Sequence, residues 1–242
     1  MKKLLFISII SFAILATGCK KDKSKALEYN DSNPINMVLR GEHQISATSE
    51  YDITYKSLNE TVVTVTKTGK LYGKNVGEAQ VKLDNGYESK TIDVIVDLFT
   101  EPTFEFGCNT NRIRTLYGTP YAAGYADTIL VYQYTANNGY SYACGEMDFF
   151  FYNGQYFESD VYIRQNVSGP LDQYLNDNFR LDTIIGDTLK IYRNLLDNDI
   201  ICGKYASHNT WNEWCLFYAR ADQEKSVANF LNRRPRSSKL RY

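Results

Sequence analysis

Two patterns of apolar and polar residues divide the chain. Leu4 to Ala16 is an apolar run broken only by two serines, whereas beyond residue 34 short β-branched and aromatic runs alternate with Gly, Asn and Asp. The first run is shorter than the roughly 20 residues of a membrane-spanning helix, but it suits the apolar region of a secretory signal peptide, since Lys2 and Lys3 precede it. The later runs are typical of antiparallel strands joined by tight turns. The sequence therefore predicts an exported, strand-rich protein.

The apolar run ends in Leu15-Ala16-Thr17-Gly18-Cys19, which resembles the lipobox of bacterial lipoproteins, although Ala16 stands where that family prefers Leu. The resemblance implies that residues 1–18 are a lipoprotein signal peptide and that Cys19 carries the lipid. It also implies that the membrane is a partner through the lipidated N-terminus. The alternative is an ordinary signal peptide cleaved nearby, which would leave Cys19 as a thiol.

Lys20 follows the cysteine, and it is not the Asp that resembles an inner-membrane retention signal, so we expect the outer membrane. The protein body could face the periplasm or the cell surface. Residues 19–34 are polar and predict a flexible tether.

Residues 35–98 predict an all-β sandwich, because period-two strands are separated by turn residues such as Thr68-Gly69 and Asn85-Gly86. Spaced positions in this segment resemble the bacterial immunoglobulin-like group 2 domain, although Tyr55 replaces the more usual Trp. These positions are Tyr55, Ser57, Asn59, Val62, Val65, Gly69, Leu71, Gly73, Val76, Gly77, Ala79 and Val81. The resemblance implies a spacer, or an adhesion or carbohydrate-proximal module, on a cell-surface protein.

Residues 101–222 show landmarks that recur 56 to 60 residues apart. Asn109-Thr110 and Ser168-Gly169-Pro170 each begin an amphipathic helix pattern, and each is followed by strands. We therefore predict a multi-domain protein whose C-terminal part is an α+β domain of two helix-plus-antiparallel-sheet repeats. The arrangement loosely resembles the beta-lactamase inhibitor protein-like fold. Asn153-Gly154, between two aromatic runs, predicts a type I′ hairpin turn.

Four cysteines remain after Cys19, and all lie in the predicted C-terminal domain: Cys108, Cys144, Cys202 and Cys215. An even number in an exported domain predicts two disulfides, and pairing within each repeat would join Cys108 to Cys144 and Cys202 to Cys215. Buried thiols are the alternative. The spacing does not match a redox or zinc motif.

The sequence predicts no catalytic site, no metal site and no cofactor. His208 falls at a predicted hairpin tip, and His43 falls in a predicted loop, where neither is positioned for acid–base work. Four carboxylates flank the aromatic hairpin and could act as a glycosidase pair, but alternate carboxylates on strands are usually a solvated face. They are Glu146, Asp148, Glu158 and Asp160. The interpretation that we adopt is a non-catalytic protein.

Aromatic residues give the remaining indication of binding. Tyrosine and tryptophan supply rigid contact area for sugars or protein partners, and the candidates near predicted strand ends are Tyr140, Tyr142, Trp211 and Trp214. The formal net charge of −1 gives no general attraction to nucleic acid. Residues 223–242 form a basic tail that we expect to be disordered, with contact to anionic lipid as the alternative.

These observations give three expected functions. The first is a membrane-anchored envelope protein whose immunoglobulin-like domain spaces a binding domain from the membrane. The second is an inhibitor or assembly partner of another envelope protein. The third is an accessory protein that handles glycans, or a weak hydrolase.

Overall fold

A computed structural model of the chain describes residues 24–135, 142–186, 188–206 and 213–223. These residues form two β-rich domains. The N-terminal domain is a sandwich of short strands, and the C-terminal domain is one eight-stranded sheet with its two α-helices packed on one face. Among the described residues, no helix has both the length and the apolar character that crossing a membrane requires.

The N-terminal domain buries one apolar core between two sheets. One sheet has the strand order β2-β9-β8-β5, the other has the order β3-β7-β6, and β1 pairs separately with β4. The core side chains alternate along the strands, so that Val63 and Leu71 from one sheet meet Val81 and Val94 from the other. The predicted immunoglobulin-like sandwich is therefore confirmed. Its strands are β1 (Leu27–Tyr29), β2 (Ile35–Val38), β3 (Glu42–Gln44), β4 (Ala47–Ser49), β5 (Thr54–Ser57), β6 (Val63–Val65), β7 (Lys70–Gly73), β8 (Gly77–Asp84) and β9 (Ser89–Asp97).

The sandwich begins earlier than the sequence indicated. Leu27 is 1 % exposed and belongs to the sandwich core, and strand β1 around it pairs with β4. The flexible tether predicted over residues 19–34 is therefore wrong for its C-terminal half. A strand of only three residues is too short to give a clear period-two signal, and this one is held by its pairing with β4 and by the burial of Leu27.

The chain enters and leaves the sandwich at opposite ends. The backbone N–H of Leu27 donates to Glu88 at 2.6 Å, and the Asn85 amide donates to the Lys25 carbonyl at 3.0 Å, so the entry lies beside the β8–β9 turn. Strand β9 then runs from Ser89 to Asp97, a rise of about 27 Å at roughly 3.4 Å per residue. The exit toward the second domain lies at the far end of that strand.

The C-terminal domain contains eight antiparallel strands in the order β10-β11-β12-β13-β17-β16-β15-β14. Two sequence predictions are confirmed here. The Asn109 side chain caps α1 by accepting from the Arg112 N–H at 3.1 Å, and Asn153 and Gly154 both adopt positive φ, as a type I′ turn requires. The elements are α1 (Thr110–Tyr117), β10 (Ala122–Ala126), β11 (Ile129–Thr135), β12 (Cys144–Tyr152), β13 (Gln155–Arg164), α2 (Ser168–Asn178), β14 (Phe179–Ile185), β15 (Leu189–Asn194), β16 (Ile200–Ala206) and β17 (Glu213–Arg220).

The predicted α+β domain of two helix-plus-sheet repeats is wrong. Strands β13 and β17 pair from Glu158–Ala219 to Arg164–Glu213, so all eight strands share one sheet. The pairing buries Val161, Ile163 and Leu216 in a single core. The two helices have only 8 and 11 residues, and they pack on that core as additions to a mainly β domain. Local patterns identified most of these elements, but they carried no information about which strands would pair with each other.

The two domains share apolar contacts. Leu39 from the sandwich, with Leu98 and Phe99 from the connecting segment, belongs to the same buried cluster as the C-terminal core. The guanidinium of Arg40 also lies 3.8 Å from the ring centre of Tyr142 in the C-terminal domain. The end of the sandwich is therefore built into the second domain.

The structure contains no disulfide among its described cysteines, so the predicted pairings are wrong. Cys202 faces the main core with Tyr218, whereas Cys215 lies an odd number of residues away on β17 and faces the opposite side of the sheet. The Cys108 carbonyl binds Tyr156 at the turn end of the β12–β13 hairpin, and Cys144 begins β12 at the other end. Those two residues are about 20 Å apart, far beyond the roughly 7 Å between Cα atoms that a disulfide spans.

The packing of Phe217 across its neighbouring strand predicts a sensitive glycine. A Cβ on Gly203 would lie 1.9 Å from Cε1 of the Phe217 ring. Gly203→Ala should therefore lower the free energy of unfolding by about 1–3 kcal/mol in urea titrations, because the ring must leave its position. Gly169→Ala in α2 is the matched control, since nothing lies within 4 Å of its added Cβ. Equal effects of the two substitutions would contradict this packing.

The state of the cysteines can be measured by intact mass. A Cys19→Ala chain denatured in iodoacetamide without reductant should gain four alkyl groups, one each at Cys108, Cys144, Cys202 and Cys215. In the native chain Cys108 should react first, because burial raises the pKa of Cys144 to about 12 and raises that of Cys202 as well. Alkylation that requires prior reduction would contradict the structure.

Candidate functional site

The two faces of the C-terminal sheet differ in chemistry. Both helices and the main core lie on one face, and the other face carries carboxylates from three neighbouring strands. We call this second surface the acidic face. Its acidic residues are Glu146 and Asp148 on β12, Glu158 and Asp160 on β13, and Glu213 on β17. Asp148 and Asp160 are direct cross-strand partners, which concentrates negative charge at the centre of the sheet.

The carboxylates of the acidic face are not solvated as the sequence interpretation supposed. Glu158 and Asp160 are 0 % exposed, and Asp148 is 5 % exposed. Aromatic side chains stand beside them, because Phe150 pairs across the strands with Glu158 and Phe217 pairs with Asp160. The prediction of a solvated face is therefore wrong. Alternating carboxylates also match a sheet face from which aromatic residues of neighbouring strands exclude water.

Glu146 interacts both with other carboxylates of this face and with the side-chain amide of Gln133. Its Oε1 accepts from the Gln133 amide at 3.1 Å. Burial raises the pKa of the Glu146 carboxyl, and the charges of Glu213 and Asp160 raise it further, while hydrogen bonds with Asp148 and Gln133 act in the opposite direction. The negative potential of the acidic face therefore contributes to the raised pKa of one of its own carboxyl groups. Such a surface favours basic groups as binding partners.

The side chain of Glu213 lies close to Gly145 in strand β12, a contact that the sequence did not predict. Its Oε1 would lie 2.7 Å from a Cβ on Gly145, so the carboxylate reaches across β13 to β12 only because position 145 has no side chain. A glycine inside a strand is a signal of such close approach. Gly145 could have indicated the contact, but not which residue makes it.

The structure describes two of the four aromatic residues that the sequence predicts to bind a partner. Tyr140 and Trp211 lie outside the described residues, as does His208. Tyr142 and Trp214 lie at the same end of the sheet, on either side of the end of β13. The Tyr142 ring stands between the guanidinium groups of Arg40 and Arg164, whose Cζ atoms lie 3.8 and 5.7 Å from its centre.

Trp214 is engaged within its own domain. Its indole N–H donates to the Ser168 hydroxyl at 2.9 Å, and the Lys204 ammonium lies 4.5 Å from its ring centre. Lys204 is itself 7 % exposed and pairs with Asp172 of α2 at 2.5 Å. These contacts tie α2 to the sheet and assign Trp214 a packing role.

Within residues 24–135, 142–186, 188–206 and 213–223, no group of three His, Cys, Asp or Glu side chains has an arrangement that could hold a metal ion. His43, expected in a loop, instead lies in β3 with its Nε2 3.4 Å from an Asp31 oxygen.

The raised pKa of Glu146 predicts a pH-dependent effect of its neutralisation. A carboxyl whose pKa is raised by folding favours the folded state below its ordinary pKa, and that contribution is lost as the pH rises through the raised value. Glu146→Gln keeps an acceptor for Gln133, so the variant should gain stability relative to the unmodified protein as the pH rises from about 4 to 7. Urea titrations at each pH would measure this gain.

The matched control is Glu60→Gln, which removes an exposed carboxylate from the N-terminal domain. The gain of stability of Glu146→Gln over the same interval should exceed that of Glu60→Gln. A Glu146→Gln variant that loses stability with rising pH would contradict the described environment.

Comparisons with known proteins concern mainly the N-terminal domain. Residues 35–94 match the family model of the bacterial Ig-like domain (group 2). No curated protein matches the sequence.

Three solved structures illustrate how distant the structural similarities are. An intimin mutant of EHEC O157:H7 is 12 % identical, with 39 % of this chain and 59 % of that chain covered and a TM-score of 0.28. A cysteine-rich secretory protein of Staphylococcus aureus is 11 % identical, with coverage of 50 % and 47 % and a TM-score of 0.28. Domains 4–9 of the surface layer protein SbsC are 9 % identical, with coverage of 81 % and 27 % and a TM-score of 0.29. The chain thus spans less than two thirds of each of these structures, and similarities this weak carry no functional argument.

The sequence match and the sandwich topology agree on one segment. Residues 35–94 form a bacterial Ig-like domain of group 2.

Proposed function

We propose that the protein is a non-catalytic lipoprotein of the cell envelope, anchored in the outer membrane through Cys19. In this proposal the Ig-like domain is a spacer that presents the C-terminal sheet domain to a binding partner. The bacterial Ig-like match supports a cell-envelope or cell-surface setting of the spacer or adhesion type.

The observation that carries the proposal is the position of the two chain ends of the Ig-like domain. The chain enters beside Glu88 and leaves after Asp97, at the two ends of strand β9. A domain with this geometry places its two flanking segments a full domain length apart. A membrane anchor at Cys19 and a binding domain after residue 100 would therefore be kept at a distance from each other.

The junction between the domains supports presentation in a fixed orientation. Leu39, Leu98 and Phe99 are buried in the core of the C-terminal domain, and Arg40 stacks on Tyr142. Burying three large apolar side chains contributes several kcal/mol at about 1.5–3 kcal/mol each. The spacer and the presented domain would then move as one body on the tether.

A binding role is favoured over catalysis by the state of the nucleophiles and bases. Burial raises the pKa of the Cys144 and Cys202 thiols, which keeps them protonated and unreactive. His43 lies in the spacer domain, beside Asp31. Among partners, another envelope protein is favoured over a glycan, because Tyr142 and Trp214 are already engaged by Arg40, Asn166, Ser168 and Lys204.

The anchor and the rigid spacer can be tested together. Cys19→Ala should move the protein from the membrane fraction to the soluble fraction, because the lipid chains supply most of the membrane affinity. Limited proteolysis of the unmodified protein should cut before residue 24 and release one fragment that carries both domains.

Cys108→Ala is the matched control for the anchor, since it removes a cysteine of the C-terminal domain and should leave the protein in the membrane fraction. Membrane association that persists in Cys19→Ala would contradict the anchor. A first cut between residues 98 and 104 that separates the domains would contradict the rigid spacer.

A further inference from the structure

One edge of the C-terminal sheet is strand β14. Within the described part of the chain, β14 pairs only with β15, so the backbone groups on its outer side have no strand beside them. Six of its seven residues are exposed, and only Phe179 is buried. The exposed residues include Leu181, Ile184 and Ile185, which are each between 41 % and 53 % exposed. An edge strand that carries aliphatic side chains is a surface on which another strand can pair.

The opposite edge of the sheet, strand β10, is less suited to such pairing. It has five residues, four of which are alanine or glycine, and Tyr125 is its exposed large side chain. Alanine and glycine favour strands weakly, whereas Thr183, Ile184 and Ile185 of β14 are consecutive β-branched residues, which favour strands strongly. Edge-to-edge association is therefore expected at β14 rather than at β10.

A β-bulge sets two aliphatic residues of β14 on the same face. The pairing with β15 shifts by one residue at Asp182, so that Leu181 lies opposite Tyr192 and Ile184 lies opposite Lys190. Tyr192 and Lys190 are two positions apart on one strand and share a face, and their partners on β14 therefore share it too. In a regular strand, residues three positions apart would point to opposite faces. The bulge thus produces an aliphatic patch on one side of the edge.

The exposed aliphatic surface continues beside the start of β14. Leu195 and Leu196 follow β15, and they are 54 % and 99 % exposed. The backbone N–H of Leu195 donates to the Asn178 carbonyl at 2.9 Å, which holds this turn directly before β14. Exposed apolar side chains that cluster in this way indicate an interaction surface, whereas single ones do not.

We propose that two copies of this chain associate edge to edge, with their β14 strands paired antiparallel about a two-fold axis between Asp182 and Thr183. This axis pairs the exposed residues 180–185 completely with residues 180–185 of the second copy. Leu181 of each copy then lies opposite Ile184 of the other, so that four aliphatic side chains meet on one face. The two sheets become one continuous sheet across both copies.

The charges of β14 are compatible with this register. Arg180 lies opposite Ile185 of the second copy, and Asp182 lies opposite Thr183, so no charge of one strand faces a like charge of the other. Asp182 is also paired within its own chain, since its Oδ2 accepts from the Nε–H of Arg193 at 2.9 Å. An axis through Asp182 itself would set two aspartates opposite each other, which is destabilising.

A second copy fits this edge because the strand is complementary to itself. A closed two-fold pair uses the same surface twice, and it leaves no aliphatic edge for the addition of further copies. A single pair of strands buries less than the roughly 1,200 Å² at which stable interfaces begin. We therefore expect a reversible dimer with a Kd in the micromolar range.

Sedimentation equilibrium of the Cys19→Ala chain, from low to high micromolar concentration, tests the association. The chain should pass from monomer to dimer and form nothing larger. Ile184→Lys should weaken dimerisation at least about tenfold, because it places ammonium groups in the aliphatic patch. Leu58→Lys in the Ig-like domain is the matched control, since Leu58 is exposed to nearly the same degree as Ile184, and it should leave the dissociation constant unchanged.

Disulfide trapping between two cysteine variants tests the register. In a background of Cys19→Ala and Cys108→Ala, a mixture of Leu181→Cys and Ile184→Cys chains should form cross-linked dimers faster than either variant alone. The mixture brings the two positions directly opposite each other, whereas each position lies roughly 10 Å from its own equivalent in the second copy, which is too far for a disulfide. Cys144, Cys202 and Cys215 are buried and should not compete.

Three outcomes would overturn the proposal. The first is a chain that stays monomeric throughout, as it would if another segment of the same chain covered β14. The second is association that Tyr125→Lys weakens and Ile184→Lys does not, because the contact would then lie on β10. The third is equal cross-linking by the mixture and by each cysteine variant alone, which would exclude the two-fold pairing between Asp182 and Thr183.

Discussion

The pairing of β13 with β17 is the contact on which the C-terminal domain depends. It joins residues that lie 49 to 61 positions apart in the chain, and it places the two strands at the centre of the eight-stranded sheet. On one side this pair buries Val161, Ile163 and Leu216, and on the other side it sets Asp160 opposite Phe217. The hydrophobic core and the acidic face are therefore two consequences of one register, and a shift of one residue would exchange them.

The junction between the domains shows how two tandem domains acquire a fixed relative orientation. Many tandem domains are joined by a polar linker, and they then rotate freely about it. Here Leu98 and Phe99 of the connecting segment are core residues of the second domain, and Leu39 of the first domain joins them. The linker is thus part of the folded unit, and cutting it would expose apolar surface on both sides.

The sequence predicted local structure well where a physical signal was local. Asn109 and Gly118 marked the ends of α1, Asn153-Gly154 marked a type I′ turn, and the spacing of Val62, Gly69 and Ala79 identified the Ig-like sandwich. It failed where the determining interaction was distant. Strand order, the register of β13 with β17 and the opposite facing of Cys202 and Cys215 depend on pairings between remote segments. The burial of the carboxylates could not be predicted for the same reason. Alternation along a strand shows that they share a face, but it does not show whether that face is buried.

The entry and exit points of the Ig-like domain have a consequence for how such proteins can change in length. Because the chain enters beside Glu88 and leaves after Asp97, further domains of this type could be added in series, and each would lengthen the series by one domain length. The side on which they could be added is fixed. The domain next to the sheet packs against the C-terminal core through Leu39, Leu98 and Phe99. Gene duplication could therefore add further domains only ahead of residue 24. The domain next to the sheet would have to keep its apolar contact residues, while the added copies would be free to diverge.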